Sequence, residues 1–103
     1  MNKRLTLVAL SLLAVSSAGF ANPKQLAESK ACLACHGIDN KIIGPAYKDV
    51  AAKYGNSDTA KTKLLAKVKA GGSGVWGSIP MPPQAHVSDE DLDTIVSWIL
   101  TLN

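Results

Sequence analysis

Cys32-Leu33-Ala34-Cys35-His36 is the stretch on which the reading of this chain turns. These are the only two cysteines, and a disulfide between them would close a loop too small to constrain the unfolded chain much. The pattern fits the C-x-x-C-H signature of covalent haem attachment. Two thiols three apart near a helix end can each add to one vinyl group on a haem edge. The next residue, His36, then offers its imidazole to the iron as proximal ligand. Two other chemistries use these residue types. A redox dithiol would expect a βαβ context, and no alternating strand pattern is visible. A zinc ion could draw on Cys32, Cys35, His36 and His86, four ligands as zinc requires. Adjacent Cys35 and His36 are awkward co-ligands on one ion, however, and the usual paired spacing is missing.

The residues before the motif give its compartment. Lys3 and Arg4 precede an apolar run over 5–15, and small residues follow, ending in Gly19-Phe20-Ala21. A charged start, a short apolar middle and a small-x-Ala exit describe a secretory signal peptide cleaved after Ala21. A spanning helix would need roughly 17–25 apolar residues. The expectation is therefore a leader over 1–21, a single domain over 22–103, export to the periplasm and no membrane span in the mature protein. The remaining domain, about 80 residues, is near the size at which natural chains need a disulfide, a metal or another staple. A covalent haem, one per chain, would serve.

Residues 22–103 hold nine lysines, no arginine and eight acids, for one net positive charge. Asp89, Glu90, Asp91 and Asp93 cluster near the C-terminus, so residues 22–87 are distinctly basic. Without arginine, or a basic stripe interleaved with aromatics, nucleic-acid binding is not expected. Four helices can be read. The first covers 23–31, with Asn22 as N-cap and Pro23 at the first position. The second covers 46–54, stopped by Gly55, with Tyr47, Val50 and Tyr54 on one face. The third covers 58–70, with Leu64, Leu65 and Val68 inward and Gly71-Gly72 at its end. The last begins at Ser88, a capping-box-like start with Asp91 three residues on. Leu92, Ile95, Val96, Ile99 and Leu100 make its apolar stripe. Its acids suit the positive end of the helix dipole and need no separate function.

Between the last two helices, residues 71–87 form a Gly- and Pro-rich loop, long for a compact domain. It carries Trp76, Ile79 and Met81, which a disordered linker would not be expected to hold. Met81 is the only methionine after leader removal, bracketed in Ile79-Pro80-Met81-Pro82-Pro83. Prolines favour stiff, extended backbone, an odd place for core filler. A thioether opposite histidine is the ligation of electron-transfer cytochromes, which makes Met81 the expected second axial ligand, with His86 the alternative. With both positions filled the chain is expected to be a carrier and not an enzyme. A detachable Met81 would instead suit a haem sensor or a peroxidase-like protein.

The motif, Gly44-Pro45-Ala46-Tyr47-Lys48-Asp49-Val50-Ala51-Ala52-Lys53, Gly74-Val75-Trp76-Gly77 and the Met81 segment together resemble the class I cytochromes c. The likeness is to the small bacterial monohaem c-551 and c-552 type and runs over essentially all of 22–103. It implies an all-α fold of four to five helices around one covalently bound haem. It implies that the Pro45 carbonyl accepts a hydrogen bond from the His36 ring, and that Trp76 contacts a haem propionate with Lys67 nearby. Relatives carry an amide shortly after the methionine, near its sulfur; here that residue is Gln84. Respiratory one-electron transfer is implied, with redox-protein donors and acceptors such as a bc-type complex, a terminal oxidase, a nitrite reductase or a peroxidase. A small carrier of this kind is expected to be a monomer.

Overall fold

Asn22 is extended, and its side-chain oxygen accepts from the Gln25 N–H at 2.9 Å, opening helix α1 (Pro23–Ser29). The computed structural model describes residues 22–55 and 57–103; the expected leader over 1–21 lies outside them. α1 stops two residues short of the sequence expectation. The Lys30 N–H turns back to Leu26 and Ala27, and Ala31 takes the left-handed conformation at φ 63°. That reversal feeds a 3-10 turn over Cys32–Ala34, an element the sequence reading had only as a helix end.

Helix α2 (Tyr47–Tyr54) also starts a residue later than expected, with Ala46 extended as its cap. The reason is local. A helix leaves its first N–H groups without intrahelical partners, and here Gly37 and Ile38 carbonyls accept from Tyr47 and Lys48 at 2.9 and 3.1 Å. Helix α3 (Asp58–Ala70) has the expected bounds, capped by the Ser57 hydroxyl and ended by Gly71 at φ 68°. Helix α4 (Asp89–Ile99) begins as expected, with Ser88 Oγ accepting from the Asp91 N–H at 3.1 Å.

The core lies around α4, which packs on α1, α2 and α3. Its whole predicted stripe, Leu92, Ile95, Val96, Ile99 and Leu100, is buried. Leu26 and Ala27 come from α1, Tyr47 and Val50 from α2, Ala60 and Leu64 from α3, and Val87 from the segment before α4. Leu65 and Val68 are only partly buried against this cluster. The acids of α4 do more than cap it. Lys30 reaches Asp91 from α1, while Lys61 and Lys69 reach Asp93 and Asp89 from α3. The fold is all-α, with four α-helices and one 3-10 turn among the described residues. Among the described residues, strand pairing is limited to isolated bridges at His36–Lys41 and Gly72–Met81. None of the described helices is long and apolar enough to cross a membrane.

Candidate haem-attachment site

The motif is held by its own backbone. The His36 N–H donates to the Cys32 carbonyl at 3.1 Å, and the Cys35 carbonyl accepts from Ile43 and Gly44 at 3.1 and 2.8 Å. Residues 37–45 thus fold back beneath His36. Gly44 lies so close to the ring that a Cβ there would sit 2.5 Å from His36 Cε1. The loop then delivers Pro45, whose carbonyl is 2.8 Å from His36 Nδ1. A carbonyl can only accept, so Nδ1 carries the hydrogen of this bond and Nε2 is the nitrogen left to serve as a ligand. His36 is buried, and its ring stacks on Tyr47 at 4.9 Å between centroids. Tyr47 in turn meets Trp98 of α4 edge-on at 5.8 Å. The imidazole is therefore fixed from two sides, with one nitrogen left to bind an electrophile.

Cys32 and Cys35 are free, half-buried thiols. Burial pushes the Cys32 thiol up, opposed by a hydrogen bond with Tyr47. The Tyr47 phenol is raised far out of its ordinary range, first by burial and then by the adjacent Cys32 and Cys35, so it keeps its proton.

The second loop, 71–87, is tied down at its base. Gly72 and Met81 exchange N–H···O bonds of 3.0 and 2.8 Å, and the Gln84 N–H donates to the Val68 carbonyl of α3 at 3.0 Å. Gly71 is required there: a Cβ would meet the Met81 carbonyl oxygen at 2.5 Å. The Gln84 side-chain amide donates to the Pro82 carbonyl at 2.9 Å. Met81 is half-buried, His86 and Lys67 are exposed, and Trp76 is 41% exposed with Lys53 Nζ 5.6 Å from its ring centroid.

The exposed large apolar side chains among the described residues are Ile42, Ile43, Val75, Trp76 and Ile79, and all lie in these two loops. Helix α2 joins the loops, since Tyr47 at its start stacks on His36 and Lys53 in its last turn lies over Trp76. Six residues of helix separate these contacts, about 9 Å. Clustered exposed apolar side chains in a small protein mark a binding surface. Two thiols, an imidazole with Nε2 left to serve as a ligand and a wide apolar lining fit a covalently held haem. They do not fit zinc. No group of three or more His, Cys, Asp or Glu side chains able to hold a metal ion gathers among the described residues, so Cys32, Cys35, His36 and His86 form no such set. The βαβ setting of a redox dithiol is missing as well.

Fold and site together define a small helical haem protein. Comparison with known proteins carries this further. The family model for cytochrome c matches residues 20–103. Cytochrome c-552 of Hydrogenobacter thermophilus is 47% identical, over 99% of this chain and 99% of its own. Cytochrome c-551 of Pseudomonas aeruginosa is 46% identical, over 94% of this chain and 92% of its own. The crystal structure of Nitrosomonas europaea cytochrome c552 is similar at a TM-score of 0.75 and 52% identity, covering 78% of this chain and 99% of that one. The chain belongs to the cytochrome c family, in its class I monohaem branch. Members are electron carriers, not enzymes, and bind one covalent haem c. They exchange electrons with other proteins.

Sequence reasoning missed three residues. The sequence places Tyr47 on a helix face and in the Gly44–Lys53 stretch of the resemblance without giving it a role at His36; its place two residues after Pro45 is the available signal. The contact of Gly44 with the ring could have been suspected from a glycine preceding that proline. Lys53 gave no signal, because its neighbour Trp76 is distant in sequence.

Proposed function

We propose that the chain is a periplasmic one-electron carrier of a respiratory chain, with His36 and Met81 as axial ligands of the haem iron. The observation that carries this reading is the His36 ring, buried, stacked on Tyr47 and donating through Nδ1 to Pro45. Such a bond to the outer ring nitrogen fixes tautomer and orientation and raises the basicity of the ligating one. When bound, the haem supplies a one-electron ferric–ferrous couple. Cys32 and Cys35 anchor its edge as thioethers. Met81 offers its thioether sulfur from a backbone held by Gly72, and a thioether opposite histidine raises the reduction potential. Ile42, Ile43, Val75 and Ile79 would exclude water from the haem, and Trp76 would contact a propionate, with Lys67 a weaker candidate nearby. With no ligand position open, the residues do no substrate chemistry. The lysine-rich segment 22–87 steers redox partners by charge. Residues 1–21 direct export and are removed, and the mature domain, 22–103, acts as a monomer.

The test is a visible spectrum, oxidised and dithionite-reduced, of protein matured in a periplasm, with intact mass and N-terminal sequence. The expected result is a chain starting at Asn22 plus one haem, with a sharp reduced α band. A weak far-red methionine–iron band should be present when oxidised and lost in Met81→Ala. Haem without that band in the parent protein, with rapid carbon monoxide binding to the ferrous form, would overturn the carrier reading in favour of sensing or peroxide chemistry.

A further inference from the structure

We infer that Lys53 is a positioning residue that clamps Trp76, and through it the tip of the Met81 loop, onto the end of α2. The base of that loop is fixed by backbone bonds from Gly72, Met81 and Gln84. Its tip has no such framework. Gly74 and Gly77 have positive φ, at 107° and 121°. The turn they make is closed by the Gly74 N–H donating to the Gly77 carbonyl at 2.7 Å. Backbone of this kind is permissive and contributes little stiffness of its own. Val75, Trp76 and Ile79 on the tip are all exposed. Among the described residues, the Lys53 ammonium over the Trp76 ring, 5.6 Å from the centroid, joins the tip to a helix.

Five of the nine lysines of residues 22–103 form ion pairs, and Lys53 is not among them. Lys24, Lys30, Lys48, Lys61 and Lys69 each pair with a carboxylate. Lys53 is recorded against a ring face instead. It sits in the last turn of α2, where a cation also suits the negative end of the helix dipole. The same helix carries Tyr47 at its start, stacked on His36. One rigid strut thus holds the imidazole at one end and the indole at the other. A cation over a ring is favourable at this range and fixes where the ring lies. The consequence for electron transfer rests on the haem reading above. Holding Trp76 would keep its N–H available to a haem propionate, and a positive charge held beside it would favour the ferrous state.

The test compares parent holoprotein with Lys53→Gln, Lys53→Arg, Trp76→Leu and the Lys53→Gln/Trp76→Leu double variant. Two quantities are read: amide hydrogen exchange at Gly74, and the reduction potential. Lys53→Gln should speed Gly74 exchange about two- to fivefold, the factor an exposed cation–π contact supplies, and should lower the potential. Lys53→Arg should restore both. In the Trp76→Leu background the potential shift caused by Lys53→Gln should fall to less than half. Unchanged Gly74 exchange in Lys53→Gln would overturn the clamp. A potential shift undiminished without the indole would show that Lys53 acts as a bare charge, which also overturns it. Protein purified without haem would defeat the haem reading, whereas the exchange comparison would still decide the clamp.

Discussion

At the scale of single residues, two positions show how the backbone is bent to serve the motif. Gly44 admits the His36 ring, and a methyl there would lie 2.5 Å from Cε1 and 2.8 Å from Nδ1. The ring is also stacked on Tyr47 at 4.9 Å, which restricts its retreat. Gly44→Ala should therefore cost about 1–3 kcal/mol, the range for overpacking a well-filled site. A denaturant midpoint on the holoprotein checks it, and a parental midpoint would mean that the loop, not the ring, yields. Ala31 is the opposite case. It holds φ 63° with a side chain that disfavours it, at the point where α1 must reverse into Cys32. The left-handed conformation costs an L-residue about 1–2 kcal/mol. Glycine would remove that strain while adding freedom to the unfolded chain worth about 0.4–1 kcal/mol. Ala31→Gly should consequently stabilise by about 0.5–1 kcal/mol on balance. A lower midpoint in the same titration would reject strain at this turn.

At the scale of elements, α4 allows capping and ion pairing to be weighed against each other. Its three lysine partners are bound at 3.7, 2.6 and 2.5 Å, but the side chains involved are substantially exposed. Exposed pairs contribute about 0–1 kcal/mol each and are screened by salt. The Ser88 hydroxyl instead satisfies a backbone N–H that the helix cannot. Ser88→Ala should cost about 1 kcal/mol at low and high salt alike. Asp91→Asn should cost less than half of that, and the loss should vanish at high salt. Unfolding titrations at two ionic strengths separate the two, and the reverse ranking would make the ion pairs the principal fastening. The same comparison explains what was legible in the sequence. Caps and apolar stripes are local, so Asn22, Ser88, Gly55 and the face of α4 could be read directly. The early stop of α1 and the late start of α2 could not. Both are set by backbone partners, Ala31 turning to present Cys32 and the 37–38 carbonyls taking the first N–H groups of α2. The motif residues were legible as chemistry, and Gly44-Pro45 as part of a family resemblance. The Tyr47 and Lys53 contacts depend on tertiary packing, which has no signature within a short window.

At the scale of the whole molecule, the distribution of apolar side chains is lopsided. The buried cluster is built around α4, with small contributions from the other three helices. Among the described residues, the exposed large apolar side chains all belong to the loops that flank His36 and Met81. Protein contacts alone thus give the helices a core and leave the loops with apolar surface turned outward. A domain of about 80 residues buries barely enough surface to offset its chain entropy, and a prosthetic group bound by the folded state adds its binding free energy to folding. Stability should therefore follow haem. A Cys32→Ala/Cys35→Ala protein, which cannot form thioethers, should be recovered without haem, with most of its far-UV helical signal lost and no cooperative thermal transition. Adding haem should restore part of the helicity through His36 and Met81, and should restore less in a variant that also carries His36→Ala. Circular dichroism with and without haem measures this. A cooperative transition in the haem-free protein would mean that the α1–α3–α4 cluster is self-sufficient. The two loops would then be free to reorganise on their own, and haem would select their conformation without holding the molecule together.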